Sequence, residues 1–228
     1  MIDLTGGASW VADILKASAD TDAINQPAPV PVSVWAGFAD LGSIAGVDLL
    51  KQLKGAGADT IIFTPTNDAS KRVWSWQPSR SRILRGIDAA ALMGFRVGVG
   101  PWARCDSRFM SDAGRQIAGL LKSAEGAVSF VELDCEGSWE TTARRRSRRH
   151  PEGMTGAVDE AVDAFRQHVP DIPLTATVLY FRRPGGSALL KSTKADIRSV
   201  SVQAYSVWFE NNPATQADNF QPGVLQRR

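Results

Sequence analysis

From residue 32 onward the chain repeats one unit: a segment with helical apolar spacing that ends near a glycine, then a short β-branched run. The runs cover residues 32–36, 60–63, 96–99, 128–135, 174–180 and 199–205. Between them, 47–54 carries Val47, Leu50 and Leu53 ahead of Gly55, and 83–93 repeats the arrangement ahead of Gly94. Glycine just past a helix suits the left-handed C-terminal position. Residues 111–121 and 157–169 supply the later helices, the second carrying Val158, Ala161, Val162 and Phe165 before Pro170. Strands that alternate with helices at this spacing imply a parallel sheet with helices packed outside it.

Two α/β architectures have that rhythm. A doubly wound sheet that binds a dinucleotide carries Gly-x-Gly-x-x-Gly after an early strand. Here Gly98-Val99-Gly100-Pro101 follows the third strand, and Pro101 lacks the backbone donor that a phosphate needs. The expected fold is therefore a (β/α) TIM-barrel-like domain. An eightfold barrel takes about 250 residues, and six βα units are legible, so an incomplete or irregular barrel is expected. A partner chain or a missing segment would complete it. Residues 1–31 read as an appendage, with one apolar-periodic stretch (Trp10, Val11, Ile14, Leu15) and a linker that carries Pro27, Pro29 and Pro31. The barrel domain is assigned to 32–228, and 228 residues suffice for a sizeable core without crosslinks.

The feature that carries chemistry is the ladder Glu132-Leu133-Asp134-Cys135-Glu136 on the fourth strand. Side chains alternate along a strand, so Glu132, Asp134 and Glu136 share one face while Val131, Leu133 and Cys135 share the other. The same alternation would suit an antiparallel strand with a solvated outer face. The helix-strand rhythm instead buries this strand on both sides, and like charges on one buried face are costly unless used. Crowding and desolvation raise a carboxyl pKa, as a general acid near neutral pH requires. Glu136, last in the ladder and next to Gly137, is the expected general acid. Asp134 is its ionised partner about 7 Å back along the strand.

The segment Phe130-Val131-Glu132-Leu133-Asp134-Cys135-Glu136-Gly137 resembles the fourth-strand signature of family 18 glycoside hydrolases, the chitinase and lysozyme-type barrels, D-x-x-D-x-D-x-E. Asp134 and Glu136 match its last two acids, Glu132 replaces an aspartate, and Ser129 stands at the first position. Ser201-Val202-Gln203-Ala204-Tyr205-Ser206 resembles the Gln-x-Tyr strand of the plant-type members. The resemblance implies substrate-assisted cleavage, with Glu136 protonating the glycosidic oxygen, Asp134 orienting the substrate's acetamido group and Tyr205 hydrogen-bonding it. Glu132 and Gln203 would line the same groove. The Asp-x-Glu pair is also similar to the fourth strand of family 25 lysozymes, for whose first-strand aspartate Asp40 is the nearest counterpart.

Of seven tryptophans, Trp35, Trp102, Trp139 and Trp208 fall at or just past expected strand ends. Flat indoles there suit stacking on sugar rings as well as interior packing, and all four are candidate substrate-binding residues. Arg144-Arg145-Arg146-Ser147-Arg148-Arg149-His150 would form a basic loop over the mouth, solvated or attracting an anionic polymer. With a net charge of only +2, nothing global calls for a nucleic-acid partner.

Cys105 and Cys135 are expected as free thiols, and His150 and His168 lack metal-ligand spacing, so neither metal nor cofactor is expected. No Gly-x-Ser-x-Gly elbow or Walker loop occurs. The opening residues are not expected to act as a signal peptide, and no apolar run nears the roughly 20 residues that cross a bilayer. The expectation is a hydrolase of an N-acetylated cell-wall polysaccharide, peptidoglycan or chitin, reaching the wall by export or release, as a phage lytic enzyme does. The competing expectation is a non-catalytic glycan-binding or structural barrel in a larger, phage-type assembly.

Overall fold

Each of the six β-branched runs contains a strand in the computed structural model, which describes residues 32–36, 41–65, 76, 79–178, 184–191 and 197–202. They are β1 (Val32–Ala36), β2 (Ala58–Phe63), β3 (Arg96–Val99), β4 (Phe130–Cys135), β5 (Leu174–Val178) and β6 (Ile197–Val202). Every pairing is parallel and each strand lies beside its neighbour in sequence, in the order β1-β2-β3-β4-β5-β6. A doubly wound sheet reverses its order at a switch point. This sheet does not, and it is the sequential sheet of a (β/α) barrel, with β1 and β6 at its edges among the described residues. The expected appendage and linker, residues 1–31, lie outside the described residues.

The helices are α1 (Ile44–Gly55), α2 (Arg80–Leu92), α3 (Ser107–Ser123), α4 (Gly137–Ser147), α5 (Gly153–Arg166) and α6 (Pro184–Lys191). Two of them, α1 and α3, start on side-chain caps. The Ser43 hydroxyl accepts from Gly46 N and the Asp106 carboxylate from Phe109 N, both at 3.1 Å. The left-handed glycine after α1 is Gly57 (φ +89°), not Gly55, which is the helix's last residue, whereas Gly94 (φ +74°) follows α2 as expected.

One helix contradicts the sequence reading and another was not read from the sequence at all. The arginine run is not a loop: Arg144, Arg145 and Arg146 form the last turn of α4, where cations complement the negative end of the helix dipole. Its buried stripe is only Trp139, Glu140, Thr142 and Ala143, too polar to register as an apolar period. The other is α6, which opens on Pro184 at the position where the missing N–H has no intrahelical partner in any case.

The outer face of the sheet and the inner faces of the helices enclose the main core, which includes Val131, Leu133 and Cys135 of β4. A second, smaller cluster of Trp35, Ile62 and Phe130 fills the sheet's inner face. Register places Trp35 opposite Ile62, Ile62 opposite Gly98, and Gly98 opposite Phe130, so the cluster is one row across four strands. The row closes because Gly98 has no side chain: a Cβ there would sit 2.4 Å from the Phe130 ring, and one on Gly100 2.6 Å from the Trp35 indole. The Arg96 guanidinium covers the Phe130 ring at 4.6 Å on the N-terminal side.

Candidate active site

Above the aromatic row, towards the C-terminal ends of the strands, the inner face turns polar. Glu132 and Asp134 are half-buried, between Val131, Leu133 and Cys135, which are fully buried on the outer face. Register sets Glu132 beside Thr175 and Asp134 beside Thr177 of β5. The β3–β4 pairing continues past the end of β3: Asp134 N donates to Pro101 O at 3.0 Å and Ala103 N donates to Asp134 O at 2.9 Å. Pro101 therefore serves through its carbonyl, and both backbone groups of Asp134 are held.

Glu136 lies one residue beyond β4, not on it. It is the N-cap residue of α4, with extended backbone (φ −84°, ψ −156°), and its carbonyl accepts from Glu140 N at 3.2 Å. The third rung of the acidic ladder is thus on the strand-to-helix junction, half-buried, at the end of the sheet where barrel enzymes carry their chemistry.

Trp35, Trp102 and Trp139 do not form a common rim. Trp139 has no exposed surface and packs α4 into the main core. Trp102 is buried and meets Phe109 of α3 edge-on, ring centroids 5.7 Å apart, on the helical side of the sheet. Trp35 belongs to the inner aromatic row. Burial of these large apolar surfaces outweighs their exposure at a mouth. Trp208, Gln203 and Tyr205 lie outside the described residues.

Glu140 was not singled out by sequence. It is buried in α4, and its two carboxylate oxygens accept from Gly185 N (2.9 Å) and Gly186 N (2.8 Å) at the start of α6. A carboxylate at a helix N-terminus satisfies unpaired N–H groups and meets the positive end of the dipole. It fastens the connection that leaves β5 to the helix that leaves β4. The Pro-Gly-Gly start of α6 was the only local hint, and one acid among many could not be matched to it across 45 residues. Glu140→Gln keeps the side-chain volume but sets an amide donor against a backbone donor. It should lower stability by about 1–3 kcal/mol in urea unfolding; an unchanged midpoint would remove this role.

Both cysteines are free and buried. Burial pushes the Cys105 thiol up from 9.0 to about 12, against the pull of Arg146, and burial likewise raises Cys135. Since the folded-state value is the higher one, the stability from the protonated Cys105 thiol is complete below pH 9 and is lost as pH climbs towards 12. At pH 8 neither thiol should react with a disulfide reagent in the native protein, and both should react in denaturant. Fast native labelling would contradict that burial.

No protein-family model matches the chain, and no curated protein matches it. Solved structures do resemble it. A GH53 catalytic domain from Ignisphaera aggregans superposes with a TM-score of 0.54 at 17% identity, over 81% of this chain and 62% of that one. An exo-β-1,4-mannosidase from Opitutaceae bacterium strain TAV5 gives 0.51 at 15% identity, over 78% and 38%. A GH113 β-1,4-mannanase gives 0.51 at 10% identity, over 84% and 69%. The chain therefore spans less than two thirds of the first two. Families 53 and 113 are not the families 18 and 25 of the fourth-strand motif. What all three share with this chain is the barrel architecture, and among its described residues no helix is long and apolar enough to cross a membrane.

Proposed function

We propose that the chain is a glycoside hydrolase that cleaves a polysaccharide at the C-terminal mouth of its sheet, with Glu136 as the general acid. One observation carries the reading: an acidic ladder on the inner face of β4 leads to a half-buried glutamate at the strand-to-helix junction. That junction is where (β/α) barrels present catalytic side chains, and the likeness to glycosidase barrels supports the same chemistry.

In this reading Asp134, with its backbone pinned between Pro101 and Ala103, presents its carboxyl group from the rung before Glu136. The fourth-strand motif favours an N-acetylated glycan, chitin or peptidoglycan, whose acetamido group Asp134 orients and Tyr205 hydrogen-bonds. Its carbonyl oxygen then displaces the leaving group as Glu136 protonates the glycosidic oxygen. Glu132, Gln203 and the Trp35 edge are the remaining groove candidates. The similarity to a β-1,4-mannosidase and a β-1,4-mannanase favours a second substrate, a β-1,4-linked mannan.

The test is release of reducing ends from chitin oligomers, peptidoglycan and β-1,4-mannan, for wild type and Glu136→Gln. Cleavage of the first two supports the acetamido mechanism, and cleavage of mannan alone replaces it with the second reading. Glycan binding with no turnover, indifferent to Glu136→Gln, would make the chain a binding barrel instead.

A further inference from the structure

The glycosidase reading leaves the arginine run unused, although the fold builds it into a pocket. Arg145, Arg146 and Arg149 line an open cleft of about 320 Å³ with His150 and Glu160, within the size range of small-ligand sites. Its floor is locked. Arg146 pairs with Asp106 at 3.2 Å and with Glu160 at 3.0 Å, and Glu160 also accepts from the Ser107 hydroxyl at 2.7 Å. His150 is wedged against Gly156, where a Cβ would meet its ring at 2.3 Å, and its Nδ1 accepts from Glu152 N at 3.2 Å.

The one lining carboxylate is thus already engaged, whereas Arg145 and Arg149 are exposed and have no ion pair among the described residues. Three guanidinium groups against one carboxylate leave the lining with a net positive charge. Guanidinium forks match the oxygens of phosphates and carboxylates in two-point hydrogen bonds, so such a lining selects an oxyanion rather than a neutral sugar.

The pocket is also on the right side of the sheet. Asp106 caps α3, the helix that leaves the C-terminal end of β3, and α4 runs to the arginines from Glu136. At 1.5 Å per residue, α4 sets the pocket about 15 Å from the proposed acid. We propose that this pocket holds a phosphate or carboxylate group of the polysaccharide, about 15 Å along the chain from the bond that is cleaved, which makes the substrate an acidic polysaccharide. The assignment rests on the glycosidase reading for its ligand, though not for its test.

The test is equilibrium binding of the full chain without turnover. The probes are a phosphorylated mannan oligosaccharide, oligogalacturonate, a neutral chitin oligomer and short single-stranded DNA. Arg145→Gln/Arg149→Gln should bind both acidic glycans about tenfold more weakly at low salt and flatten their salt dependence, while the neutral oligomer is bound as by wild type. Arg144→Gln/Arg148→Gln removes equal charge from exposed arginines outside the lining, and should change acidic-glycan affinity by no more than about twofold. Equal losses in the two variants mean a diffuse basic surface and overturn the pocket, as does an unchanged affinity in the first. DNA bound more tightly than either glycan, with the same loss in the first variant, overturns the polysaccharide in favour of nucleic acid. Hydrolysis indifferent to Glu136→Gln would refute the catalytic assignment and leave these binding outcomes standing.

Discussion

Glu136→Gln should reduce the rate of glycan hydrolysis by about a hundred- to ten-thousandfold, the usual contribution of a general acid. Glutamine keeps the shape of the side chain and its hydrogen-bonding reach but has no acidic proton to give to the departing oxygen. The loss should fall on kcat, with KM little changed, because protonation of the leaving group matters in the transition state and not in ground-state binding. The side chain is half-buried and makes no cap hydrogen bond to α4, so the first turn of that helix keeps its backbone partners in the variant. Steady-state rates on whichever glycan the wild type cleaves decide the matter. Equal kcat in the two proteins would remove Glu136 from the chemistry.

Trp139→Ala should destabilise the protein by about 3–5 kcal/mol in urea unfolding, the range for deleting a fully buried aromatic side chain. The indole has no exposed surface, and it is the main apolar anchor of a helix whose other buried side chains are Glu140, Thr142 and Ala143. Its Nε1 has no hydrogen-bond partner among the described residues. The variant separates two roles cleanly. A sugar-stacking tryptophan would lose glycan affinity with little change in stability, whereas Trp139 should lose stability while the folded protein keeps its affinity. The opposite pattern would return Trp139 to the glycan groove.

These two residues illustrate what could be read along the chain. Strands β1 and β3 agree with their β-branched runs to the residue, because a buried parallel strand is a short, locally encoded apolar run. The acidic alternation on β4 was legible for the same reason, since a period of two needs no knowledge of neighbours. Helix starts were less so. In α3 the cap at Asp106 begins the helix at Ser107, four residues before its apolar period is evident. The α4 helix was hidden altogether, because its charge run reads as solvated and its buried face is half polar.

The sequence by itself determined the alternating units, the parallel sheet they imply and the acidic face of the fourth strand, because hydrophobic period and turn residues are local properties. Only the tertiary structure decided that Glu136 stands on the helix cap, that Trp102 and Trp139 face the core, that Glu140 fastens α6, and that the arginines line a pocket. Those outcomes depend on which element comes to lie against which. An indole, a carboxylate or a guanidinium has several good partners in the chain, and packing selects one.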